Sequence, residues 1–136
     1  MIVVDTGPIV AMGNRRDDDH EQCTRLLATT RGPLVLPEPL LVEIGYMLGS
    51  RAGPHAEAGF LRDVADGVYE LESMQLTDVT RAADLVETYS DLPLGAADAC
   101  VVALAERLGA TRIATLDKRH FSVVRPRHTE AFTLLP

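Results

Sequence analysis

The chain has 136 residues, of which 46% are apolar and 24% are charged, and its formal net charge is −7. These values are typical of one globular domain over residues 1–136 and exclude a disordered or fibrous chain. The two cysteines, Cys23 and Cys100, are too few for a disulfide scaffold and favour a cytoplasmic protein. We expect no signal peptide and no membrane function, because no apolar run is long enough to span a bilayer.

The charges are unevenly distributed along the chain. Up to Glu106 there are 7 basic and 18 acidic residues, or −11, whereas from Arg107 onward there are 6 basic and 2 acidic residues, or +4. One interpretation is an ordinary solvated surface. The other is an acidic centre with a basic border, which suits a metal site beside a polyanion.

Short apolar strands alternate with helices along the whole chain. In the first half, the predicted elements are a strand over 2–4, a helix over 8–13, a helix capped by Asp18 or Asp19, a strand over 34–36, and helices over 40–48 and 55–65. In the second half they are a strand over 68–71, a helix capped by Thr77, a buried helix over 94–108, a strand over 113–115, and a fifth strand at 121–124 or 132–135. This alternation predicts an α/β fold with a mainly parallel sheet and helices on both faces.

Four carboxylates lie in apolar surroundings, unlike most acidic residues of the chain. Asp5 and Asp117 follow predicted strands, whereas Glu43 and Asp98 lie near the starts of predicted helices. In a parallel α/β sheet, strand ends and helix starts face the same edge, where ligands bind. We therefore expect these four carboxylates to converge.

Converging carboxylates repel one another and need a countercharge. Along the chain, Arg119 is the only arginine close to any of the four. Oxygen ligands suit Mg²⁺ or Mn²⁺, and the absence of a Cys/His ligand pattern argues against zinc. Thr6 and Thr115 adjoin two of the acids, so their hydroxyls are candidates for orienting a carboxylate or a water, although threonine at a strand end is also common.

Each acid also has an ordinary structural explanation. Asp5 is suited to capping the next helix, and Asp98 to the first turn of its own helix, where the helix dipole favours an acid. Glu43 can reach solvent from a surface helix, and Asp117 is typical of a turn. The metal-site hypothesis depends on all four obeying one topological rule. It favours phosphodiester hydrolysis, because carboxylate-held Mg²⁺ keeps open positions and binds phosphates.

At these acids the chain resembles the PIN-domain ribonucleases, in particular the VapC-type toxins, over nearly its whole length. Four segments carry the resemblance, and each contains one of these four acids: IVVDT at 2–6, LPEPLLVE at 36–43, the stretch from LPLGAADA to AERLGA at 92–110, and TLDKRHF at 115–121. No single motif is specific, but four in this order and spacing are. Gly7 departs from the family, since many relatives have a small polar residue there.

The resemblance implies a single PIN-like domain with a five-stranded parallel sheet. It also implies RNA cleavage dependent on Mg²⁺ or Mn²⁺, a homodimer, and a VapB-type antitoxin in a type II toxin–antitoxin system. In this sequence, Asp5 and Asp98 become the main metal ligands, and Glu43 and Asp117 the supporting catalytic acids.

Five arginines are candidates for holding RNA phosphates: Arg15, Arg16, Arg119, Arg125 and Arg127. Simple solvation explains each of them equally well. The four histidines, His120 among them, show no ligand or triad spacing and are assigned no chemistry.

Two other functions fit an acidic α/β domain. One is a receiver-type phosphoacceptor that uses Asp5 and Lys118, although no adjacent pair of acids follows the first strand and no acid ends the second. The other is a non-catalytic binding module that keeps the acids for folding or for capture of a partner.

Overall fold

The computed structural model describes all 136 residues, which form five strands and seven helices. The strands are Ile2–Val4 (β1), Leu34–Pro37 (β2), Glu70–Glu72 (β3), Arg112–Ala114 (β4) and Thr133–Leu135 (β5). The helices are Thr6–Gly13 (α1), His20–Thr29 (α2), Leu40–Ala52 (α3), Pro54–Ala65 (α4), Leu76–Thr88 (α5), Ala96–Leu108 (α6) and Lys118–Val123 (α7). None of these helices combines the length and the apolar character that crossing a membrane requires.

The five strands form one sheet in the order β3-β2-β1-β4-β5, and every neighbouring pair is parallel. The predicted α/β class is therefore confirmed, and the sheet is wholly rather than mainly parallel. The β-branched run of β1 occupies the centre, where its three side chains are at most 1% exposed. A central strand of a parallel sheet is covered on both faces, which is why it carries no polar residue.

The strands are added first on one side of β1 and then on the other. From β1 the chain moves through β2 to the edge at β3, and it then returns past β1 to β4 and β5. Because parallel crossovers are right-handed, α1 to α4 cover one face and α5 to α7 cover the other. The connections that leave β1 and β4 thus diverge, which opens a crevice at their carboxyl ends.

Helix α6 packs against β1 and β2 and carries α5 on its outer side. Two ion pairs join the helices: Arg81 Nε lies 2.7 Å from a Glu106 oxygen, and Arg107 Nε lies 2.9 Å from Asp78 Oδ2. The Asp78 side chain is buried and also accepts the backbone N–H of Gln75, which completes a capping box at the start of α5. These contacts fix α6, whose first turn points toward the crevice.

Several predicted boundaries were wrong. Helix α1 begins at Thr6 rather than Pro8, and α6 begins at Ala96 rather than 94. The N-cap of α5 is Gln75 rather than Thr77, because the Gln75 side chain and that of Asp78 satisfy the free amides of the first turn.

The two weakest strand predictions also needed correction. The third strand covers Glu70–Glu72 rather than 68–71, because Tyr69 packs its ring against Phe60 of α4, with ring centroids 6.2 Å apart. The fifth strand is Thr133–Leu135, whereas residues 121–123 complete α7. Phe121 is buried in the core, so this apolar residue belongs to the buried face of α7 and not to a strand.

Candidate active site

A pocket of about 480 Å³ opens at the carboxyl end of β1 and β4, in the crevice between the two sets of helices. Four acids from four separate segments line it: Asp5, Glu43, Asp98 and Asp117. Two of them follow β1 and β4, and two lie in the first turns of α3 and α6. The structure therefore brings together the four carboxylates that the sequence singled out.

Asp5 is the most buried of the four acids, at 8% exposed. It occupies the N-cap position of α1, yet its carboxylate makes no capping hydrogen bond and instead accepts the Thr115 hydroxyl at 2.8 Å. Burial raises the pKa of Asp5 to about 6; the Thr115 hydrogen bond opposes this rise, and the charges of Asp98 and Glu43 add to it. The ionised form of Asp5 is therefore destabilised in the folded protein, whereas the hydrogen bonds of an ordinary helix cap stabilise the ionised form.

Both threonines named from the sequence contact the acids. The Thr115 hydroxyl donates to Asp5 and accepts the backbone N–H of Asp117 at 3.0 Å, so it ties the ends of β1 and β4 together. The Thr6 hydroxyl donates to Glu43 Oε2 at 3.1 Å, which links the start of α1 to α3. Each hydroxyl fixes the position of one carboxylate at the pocket.

A histidine that sequence reasoning missed bridges the other two acids. The Nδ1 atom of His120 lies 2.8 Å from Asp98 Oδ2 and 3.0 Å from Asp117 Oδ2. An ionised carboxylate only accepts hydrogen bonds, so the ring donates from Nδ1 to Asp98, and the Asp117 oxygen lies beside the same nitrogen without a hydrogen bond from it. Asp117 also accepts the backbone N–H of His120 at 3.1 Å, as the side-chain cap of α7.

The spacing between Asp117 and His120 is the feature of the sequence that indicates this contact. An acid at the N-cap and a histidine three residues later lie on the same side of a helical first turn. A strand at 121–124, one of the two positions predicted for the fifth strand, would place Asp117 and His120 outside any helix, whereas α7 begins at Lys118.

No lysine or arginine forms an ion pair with any of the four acids; their only partner of possible positive charge is His120. Lys118, the one lysine of the chain, donates instead to the Pro136 carbonyl at 2.9 Å. One oxygen ligand each from Asp98 and Asp117 lies within 4.8 Å of the other and of a His120 ring nitrogen. Carboxylate oxygens without a cationic side chain fit a hard divalent cation.

The five arginines predicted to hold phosphates lie in different parts of the molecule. Arg119 is exposed in α7, beside the pocket. Arg125 donates through its guanidinium to the Ser122 carbonyl at 2.9 Å, and the backbone N–H of Arg127 donates to Glu106 at the far end of α6. Arg15 and Arg16 follow α1, at the end remote from the acids.

A wholly parallel five-stranded sheet with acids gathered at its crevice defines a class of protein that the sequence already resembled. The PIN domain model matches residues 2–125, so the chain belongs to the PIN-domain family. This match confirms the resemblance stated from the sequence.

Two proteins from Mycobacterium tuberculosis are similar to this chain, one in sequence and one in fold. Ribonuclease VapC26 is 33% identical over 135 residues, which cover 99% of this chain and 100% of that protein. The crystal structure of VapC20, a toxin that cleaves the sarcin–ricin loop, superposes with a TM-score of 0.81. That match covers 87% of this chain and 91% of VapC20 at 21% identity, which shows a shared fold.

Proposed function

We propose that this protein is a metal-dependent ribonuclease and the toxin of a type II toxin–antitoxin pair. The observation that carries the proposal is the convergence of four carboxylates, from four segments of chain, on one pocket without a lysine or arginine partner. A full-length relative named as a ribonuclease supports the same chemistry.

Asp5 and Asp98 are the main ligands for the cation in this proposal, and Glu43 and Asp117 support it. The four carboxylates offer oxygen donors, which favours Mg²⁺, with Mn²⁺ as a substitute, and a His120 ring nitrogen lies beside those of Asp98 and Asp117. A cation bound there lowers the pKa of a bound water and stabilises negative charge on a phosphate. The protein holds Asp5 through the Thr115 hydroxyl, so the carboxylate is fixed before a ligand arrives.

We also propose a VapB-type antitoxin and a second copy of the chain as partners. Val42 and Tyr46 lie one turn apart on α3 and are 78% and 72% exposed, and Leu61 on α4 is 44% exposed. Such exposed apolar side chains support contact with another protein. An RNA substrate and two free cysteines support a cytoplasmic location.

The test is cleavage of structured RNA by the purified protein. We expect cleavage with Mg²⁺, none with chelator, and a loss of at least about 100-fold in Asp98→Asn, since this removes a main ligand of the cation that would stabilise charge on the reacting phosphate. Asp91→Asn is the matched control, because Asp91 is exposed and lies outside the pocket. Cleavage that survives both chelator and Asp98→Asn would show that this pocket is not the active site.

The receiver-type alternative requires a lysine that reaches the acidic pocket. Lys118 is bonded to the Pro136 carbonyl and pairs with none of the acids, which disfavours that role. Incubation with acetyl phosphate separates the two functions. We expect no stable acyl phosphate on Asp5, and its formation would support the phosphoacceptor instead.

A further inference from the structure

A second pocket of about 480 Å³ lies at the end of α1 and α3 opposite the carboxylates. Three arginines line it, Arg15, Arg16 and Arg51, and no acid does. None of the three side chains forms a salt bridge. In a chain with 20 acidic and 13 basic residues, three unpaired guanidinium groups around one cavity form a local positive surface.

None of the three acids that follow Arg15 and Arg16 lines the pocket: Asp18 is exposed, and Asp17 and Asp19 bond to residues at the start of α2. Asp17 accepts the backbone N–H of Asp19, and Asp19 accepts the side-chain amide of Gln22. Burial, followed by the charges of Asp19 and Asp17, raises the pKa of the Cys23 thiol on α2 to about 11. Both carboxylates therefore act on α2 and do not neutralise the arginine pocket.

The start of α4 contributes to the same pocket through Ala56 in its first turn. The first amides of a helix have no partner within the helix, and its amino terminus carries a partial positive charge. Guanidinium groups beside such an end suit an oxyanion, and phosphate in particular, because arginine binds phosphate through two parallel hydrogen bonds.

The distance between the two pockets suits one strand of nucleic acid. Helices α1 and α3 lie side by side, with Thr6 bonded to Glu43 at one end and Gly13 close to Leu48 at the other. Glu43 and Arg51 are eight residues apart on α3, which corresponds to about 12 Å. Stacked nucleotides rise about 3.4 Å each, so about three or four of them cover this distance.

We propose that the arginine pocket binds a backbone phosphate of the RNA, about three or four nucleotides from the bond cleaved at the acids. This inference rests on the proposed ribonuclease function and adds a site for the substrate. The arginines would bind the phosphate through their charge and through paired hydrogen bonds. Such a contact positions the RNA strand but does not select a base sequence.

The test measures binding of a single-stranded uridine dodecanucleotide to full-length protein that carries Asp98→Asn, in chelator, at several salt concentrations. Adding Arg51→Ala should weaken binding about tenfold and make the log–log salt slope shallower by about 0.7, the value for one phosphate contact on a single strand. Arg51→Lys keeps the charge and should keep the slope.

Arg31→Ala is the matched control. Arg31 is exposed, forms no salt bridge and lines neither pocket. Its removal should leave affinity and slope unchanged, and a melting temperature for each variant shows that the fold is intact.

Unchanged affinity and slope in Arg51→Ala would overturn the inference, and so would an equal loss in Arg31→Ala. A third result would also overturn it. If inorganic phosphate raises the melting temperature of the unsubstituted protein but not of Arg51→Ala, while RNA binding is the same in both, then the pocket is a site for a free anion. If the unsubstituted protein cleaves no RNA but Arg51 still controls RNA binding, the phosphate site stands and the ribonuclease proposal fails.

Discussion

Replacing Asp5 by asparagine tests whether the buried charge of Asp5 lowers the stability of the folded protein. The pKa of Asp5 rises from 3.8 to about 6, mainly through burial, which corresponds to about 3 kcal/mol for keeping the ionised form in the folded protein. Asparagine removes the charge and keeps an oxygen that accepts the Thr115 hydroxyl. We therefore expect metal-free Asp5→Asn to be about 3 kcal/mol more stable than the unsubstituted protein above pH 6.

The sign of the pH dependence follows from the same values. Between pH 3.8 and about 6 the folded protein binds more protons at Asp5 than the unfolded chain does, so its free energy of unfolding falls as the pH rises. The advantage of Asp5→Asn should be close to zero near pH 4 and complete above pH 6. Urea unfolding of both proteins in chelator across this range measures it, and in thermal unfolding the difference is roughly 10 °C.

Addition of Mg²⁺ should reverse the order of stability. A ligand at one thousand times its dissociation constant stabilises the folded state by about 4.1 kcal/mol, which exceeds the advantage of about 3 kcal/mol above. We expect this gain for the unsubstituted protein and not for Asp5→Asn. If Asp5→Asn is no more stable than the unsubstituted protein without metal, then the Asp5 carboxylate is not held in a desolvated, acidic site.

Two further substitutions test contacts that the sequence did not reveal. His120→Ala should weaken Mg²⁺ binding tenfold or more in calorimetry, because the ring positions the Asp98 carboxylate by a hydrogen bond. His120→Asn keeps a donor near Nδ1 and should retain most of the affinity, and equal affinities in all three proteins would refute a positioning role. Asp78→Ala should lower the free energy of unfolding by about 3 kcal/mol, because it leaves Arg107 without its closest partner between α5 and α6. Asp84→Ala, on the exposed face of α5, should change it by less than about 0.5 kcal/mol, and an equal loss in the two variants would contradict this reasoning.

The carboxylate positions were predictable because they follow from topology. Once the alternation of strands and helices indicates a parallel sheet, right-handed crossovers send every strand end and helix start to one edge. Asp5 and Asp98 obey this rule whatever the exact boundaries are, so errors of two residues at α1 and α6 did not matter.

The contacts that were missed depend on packing between distant segments. Arg51 is 35 residues from Arg16, and only the alignment of α1 with α3 brings the two to one pocket. The short helix α7 lacks a long apolar period, so the sequence did not show that His120 faces Asp98, which lies 22 residues earlier. Helices of six residues are too short for periodicity to distinguish them from a strand.

The distribution of charge in the fold differs from its distribution along the chain. The carboxyl-terminal segment carries a charge of +4, but Arg107 pairs with Asp78 and Glu72, and Lys118 bonds to a backbone carbonyl. The unpaired arginines of the second pocket come instead from the segment whose charge is −11. Under the two proposals, an acidic chain would hold RNA without a basic tail: the acids bind a cation at one end of α1 and α3, and the free arginines bind a phosphate at the other. Chelation of the cation and replacement of Arg51 should each weaken RNA binding. Replacement of Arg51 should also make the dependence of binding on salt shallower.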